Sequence, residues 1–82
     1  MPGTIHFSLH NNYSQDVIVN VLDLFGGGQR IAFSGPLNKD ESADVQVFAD
    51  SDGHGAASWA ALNGPANSNP SINDGDTCEL NS

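Results

Sequence analysis

Asp50, Asp52, Asp74 and Asp76 are the residues of this 82-residue chain best suited to chemistry. Each pair forms an Asp-x-Asp turn with a glycine, in Asp50-Ser51-Asp52-Gly53 and Asp74-Gly75-Asp76. Hard cations such as calcium take about six to eight oxygens from carboxylates, carbonyls and water. Two such loops converging at one end of a domain would therefore make a calcium site. An EF-hand is excluded, because Ala61 stands where the bidentate glutamate of a loop starting at Asp50 would be needed. The rival reading is conformational, since Asp and Gly are also what tight turns require.

Other constellations point away from catalysis. His6 and His10 fall on one strand face about 13 Å apart, too far for one ion. His54 sits between Gly53 and Gly55 on an expected turn, and all three histidines read as solvated. Gly26-Gly27-Gly28-Gln29-Arg30 lacks the Lys-Ser/Thr ending of a phosphate loop, and Ile31 replaces the third glycine of a dinucleotide fingerprint. It reads as a hairpin connection. No Gly-x-Ser-x-Gly elbow occurs, and Cys78 lies in apolar alternation, where a thiol is normally inert. The chain is expected not to be an enzyme.

Tyr13, His54 and Trp59 form the candidate ligand-binding set. Tyr13 and Trp59 are natural platforms for a sugar or peptide if exposed. Flanking alanines equally leave room for Trp59 as the largest core residue. Asn12-Tyr13-Ser14 fits a glycosylation acceptor, which matters only in a eukaryotic secretory route.

Composition narrows the classes. Ten acidic residues face only Arg30 and Lys39, for a formal charge of −8. Nucleic acids and anionic membranes demand a basic footprint, so neither is expected as a partner. A protein or carbohydrate partner remains. One cysteine permits no internal disulfide. Met1-Pro2-Gly3 leads straight into a strand pattern, so no signal peptide is expected within the chain, while its Asn, Ser, Asp and Gly content points to an extracellular setting.

The elements that must position these residues are strands. Thr4 to Leu9 alternates, with Ile5, Phe7 and Leu9 on one side. In Asp16 to Phe25, Val17, Val19 and Val21 fall on one face and Ile18, Leu22 and Leu24 mostly on the other. A strand apolar on both faces must be covered on both, or bent by a bulge that swaps them. Arg30 to Ser34 (Ile31 and Phe33 sharing a face), Ala43 to Ala49 and Thr77 to Leu80 read as further strands. Gly55 to Asn63 favours a strand over a short helix, and Gly35 to Asp40 is a connection at which the chain crosses between sheets. The segment 64–75 reads as a polar loop.

Six or seven short strands with regular turns predict one all-β domain over residues 1–82, a small antiparallel β-sandwich. Its outline resembles immunoglobulin-like sandwiches, although their Cys…Trp…Cys arrangement is absent. The expected core comprises Ile5, Phe7, Leu9, Val17, Val19, Val21, Ile31, Phe33, Val45, Val47 and Leu80. Phe25, Phe48 and Leu62 find no place in it and are expected at a partner site or homo-oligomer interface. The functional expectation is a non-enzymatic binding or interaction module with a protein or glycan ligand; the alternative is a calcium-binding β-sandwich with acidic loops.

Overall fold

The computed structural model describes residues 3–25 and 30–81. Among them the chain is all β, with seven strands and no helix. The strands are β1 (Thr4–His10), β2 (Val17–Asp23), β3 (Arg30–Leu37), β4 (Ser42–Phe48), β5 (Gly55–Ala61), β6 (Ala66–Ile72) and β7 (Thr77–Glu79). They form two packed sheets, one ordered β4-β1-β7 and the other β3-β2-β5-β6. Pairing is antiparallel except between β1 and β7, which run parallel. The antiparallel expectation is corrected there, because β7 enters from the opposite sheet and takes the free edge of β1.

Period-two alternation decides what lies between the sheets. Ile5, Phe7 and Leu9 of β1 point inward beside Val45 and Val47 of β4, and Val17, Val19 and Val21 of β2 meet them from the other sheet. Leu37, Ile72 and Leu80 complete the fully buried set. Trp59 on β5 is only 4% exposed, its ring 6.4 Å from that of Phe7 across the core. Its indole N–H donates to the carbonyl of Leu80. Gly55 is buried for want of space: a Cβ there would lie 2.7 Å from both Ile5 Cδ1 and Val47 Cγ2.

One expected core residue, Ile31, leaves the core. Val21 pairs with Phe33, but the next pair is Leu22 with Ile31, so Ala32 is an extra residue in β3. This bulge reverses the side-chain parity of β3. Phe33 still packs against the core, partly buried, while Ile31 is turned outward and is 58% exposed. The Gly26 to Gly28 connection lies outside the described residues, although the β2–β3 hairpin it joins is formed.

Two boundaries are also corrected. β3 continues through Gly35 and Pro36 to Leu37 before the chain crosses to β4. The segment 64–75 is not a loop, since it contains β6. Both are edge strands, where proline's missing N–H costs no ladder bond. A second register shift, opposite Gly55 to Ala57, falls where β6 carries Pro70 and Ser71. An edge strand held by backbone pairing to β5 needs few apolar side chains, and in β6 only Ile72 is buried.

Buried polar residues brace the ends. Asn11 is fully buried; its amide donates to the carbonyls of Gln15 and Leu37, and its Oδ1 accepts from the N–H of Tyr13. The fully buried Asp23 serves the other end.

Candidate functional site

The acidic turns hold their own backbone. Asp50 and Asp52 lie between β4 and β5, where Asp50 Oδ1 accepts from the N–H groups of Asp52 (2.9 Å) and His54 (3.0 Å). The His54 N–H is the main cause holding the Asp50 carboxyl below its ordinary pKa. Asp74 and Asp76 lie between β6 and β7. Asp74 Oδ1 accepts from the His6 N–H, and Asp76 Oδ2 from the Asn73 N–H. Gly53 and Gly75 take positive φ in these turns (83° and 86°), which only glycine adopts cheaply. Asp50 continues from β4 on one side of β1, whereas Asp74 sits beside His6 on the β7 side. Among the described residues, no group of three or more His, Cys, Asp or Glu is arranged to hold a metal ion.

Tyr13, His54 and Trp59 are likewise kept apart. Tyr13 is half-buried in the β1–β2 connection against Gly64, at the end where β1 finishes. His54 occupies the β4–β5 turn, at the end where β1 begins. Trp59 is in the core between them and offers no face to a sugar. His6 and His10 each face a carboxylate, Asp44 at 3.3 Å and Glu79 at 2.8 Å. Cys78 is buried, and burial pushes its thiol pKa up, away from the thiolate a nucleophile needs.

A different surface gathers exposed apolar residues. The outer face of the β3-β2-β5-β6 sheet is built from the alternate residues of each strand, which the inward Val17–Val19–Val21 series forces outward. Register aligns them in rows: Pro36 with Ile18, with Leu62 bonded beyond; Ser34, Asn20, Ala60 and Ala66; then Ile31, Leu22, Ser58 and Ser68. Ile18 is 52% and Leu62 68% exposed. No charged side chain stands within these rows, although the chain carries a formal charge of −8. Between the Ile31–Leu22 ridge and the Ala60, Ala66 and Ser68 floor lies an open depression of about 630 Å³. Asn20 accepts from the Ser34 hydroxyl at 2.6 Å, so much of the polarity of the face is spent internally.

The expectation that Phe25, Phe48 and Leu62 stand outside the core agrees with their exposure, but they are not one patch. Leu62 edges the charge-free face, while Phe25 and Phe48 meet at the far end around Asp23. Sequence reasoning missed Ile31, Ala60, Ala66 and Ser68 as surface-forming residues. The expectation that β2 is covered on both faces or bent by a bulge is corrected: among the described residues nothing covers its second face, where Ile18 is 52% exposed, and the extra residue lies in β3.

No protein-family model, curated protein or solved structure matches this chain.

Proposed function

We propose that this chain is a non-enzymatic interaction module that binds a protein surface through the outer face of its four-stranded sheet. The carrying observation is the segregation of charge. Exposed acidic side chains occupy the connections and the other sheet and Asp23 is buried, while the rows of Ile18, Leu22, Ile31, Ala60 and Ala66 bear none, Asp16 standing at their Ile18–Leu62 end. Exposed Ile18, Ile31 and Leu62 on one uncharged face, interleaved with Asn20 and serines, suit a protein contact that is part apolar and part polar. Protein is favoured over glycan because the face lacks an exposed aromatic platform, Trp59 being buried. A face is favoured over an edge because β3 and β6 carry Pro36 and Pro70, β4 carries the exposed Asp44, and β7 is three residues long. In this reading the immunoglobulin-like likeness is one of architecture alone, a sandwich of three and four strands. The strand order β4-β1-β7 over β3-β2-β5-β6 differs from that of immunoglobulin constant domains.

The test is a protein and glycan array that includes this chain itself among the spotted proteins, probed with the labelled wild-type chain and with Ala60→Lys, which plants a charge mid-face. The reading expects protein ligands whose binding is lost in Ala60→Lys and kept in Asp44→Lys on the opposite sheet. Ligands that ignore Ala60→Lys, or none at all, would defeat it.

A further inference from the structure

We infer that the protein surface this face accepts is a second copy of the same chain, packed sheet against sheet about a two-fold axis. The inference rests on the reading of the face as a contact site and adds the identity of the partner. Two copies of a chain with formal charge −8 repel one another on approach. The outer face of β3-β2-β5-β6 is where they meet with fewest opposing carboxylates: Asp44 and Glu79 stand on the other sheet, and only Asp16, beside Ile18 and Leu62, borders the rows of the face.

The relief of the face is self-complementary. Ile31 and Leu22 form a ridge on the β3–β2 side, and Ala60, Ala66 and Ser68 floor the depression on the β5–β6 side. A two-fold rotation sets the ridge of each copy over the depression of the other, which is the reciprocal contact an isologous interface requires. Small residues on the floor allow the close spacing of face-packed sheets, about 10 Å.

The area is that of a weak, transient interface. Four strands spaced by about 4.8 Å, each about seven residues at roughly 3.3 Å, present about 440 Å² in projection. Two copies therefore bury roughly 900 Å² before side-chain relief is counted, near the ~1,000 Å² lower bound for a specific interface. The association is accordingly reversible and concentration-dependent. It strengthens with sodium chloride, because salt screens the repulsion while the contact itself contains no ion pair to weaken.

Sedimentation equilibrium of the full chain tests this. The expected result is a monomer of 8.6 kDa passing to twice that mass as concentration rises, more readily at high salt. Ala60→Lys and Ser68→Arg should each weaken association about 100-fold, the scale for burying an unpaired charge. Both substitutions reduce net repulsion, so a lost dimer cannot be blamed on added charge, and circular dichroism checks that both variants fold. Asp44→Lys should still dimerise. A wild-type monomer at about 1 mM, or a dimer untouched by both face substitutions, overturns the inference. If the monomer still gives array ligands that Ala60→Lys abolishes, only the second-copy partner falls; with no such ligand, the contact-site reading falls too.

Discussion

The buried carboxylate of Asp23 accepts a hydrogen bond from the backbone N–H of Phe48 at 2.9 Å, joining β2 of one sheet to β4 of the other. The same carboxylate accepts from Arg30 Nη2 at 3.0 Å and from the N–H of Phe25 at 3.1 Å. Arg30 in turn lies 4.8 Å above the centre of the Phe48 ring. One acid therefore closes an end of the molecule where three chain segments meet. Asp23→Ala leaves these donors without their acceptor, and each buried loss costs about 1–3 kcal/mol. With the Phe25 N–H near water, the expected total is about 2–3 kcal/mol. Urea unfolding would read it as a lower midpoint at unchanged slope; a loss within the ordinary range of surface substitutions would demote Asp23 to a bystander.

Gly55 is required for space rather than for backbone conformation. An added methyl would meet Ile5 Cδ1, which can swing away, and Val47 Cγ2, whose β-branched side chain is stiff. Gly55→Ala should therefore destabilise by roughly 1–2 kcal/mol, and Gly55→Val by more. Thermal melts of the two variants should fall in that order. Equal stability of wild type and Gly55→Ala would mean that the inter-sheet contact is looser than the structure shows.

Asp50 makes the β4–β5 turn sensitive to acid. Its folded pKa is depressed, chiefly by the His54 N–H, relative to the unfolded chain. A depressed acid contributes stability that is present above the unfolded value, near pH 4, and is lost as pH falls through the folded value. Asp50→Asn keeps an acceptor oxygen but removes the titration. Melting temperatures of wild type and Asp50→Asn, followed from about pH 5 downward, should converge in acid. Parallel curves would assign the acid sensitivity to other carboxylates.

The four turn aspartates also bear on whether metal changes stability. Asp50, Asp74 and Asp76 already accept backbone N–H bonds, and the two turns flank β1 on opposite sides. Melts in millimolar calcium and in chelator, at matched ionic strength, should therefore coincide. A cation bound at one hundred times its dissociation constant would add about 2.7 kcal/mol, a rise of roughly 10 °C or more in a domain this small. A shift of that size would support the calcium reading.

The alternation of Ile5–Phe7–Leu9 and Val45–Val47 determined by itself that these strands exist and which side of each is buried, whereas β2, apolar on both sides, was legible only as a strand. With a period of two and one covered face, a strand has a single way to sit. Trp59 left two positions open, and only packing against Phe7 and the Leu80 carbonyl chose the core. Tertiary structure alone decided the rest. Ile31 and Phe33 share a face in the sequence, but the extra Ala32 opposite β2 turned Ile31 outward. The Asn- and Ser-rich β6 became a strand because backbone bonds to β5 hold it, not because its side chains demand burial. Asn11 and Asp23, ordinary turn and strand-end residues by pattern, were buried by segments distant in the chain that supplied their partners. Local pattern records periodicity; which element covers a face, and which leaves it bare, is set by pairings between residues far apart, and the charge-free face of this protein arises from those pairings.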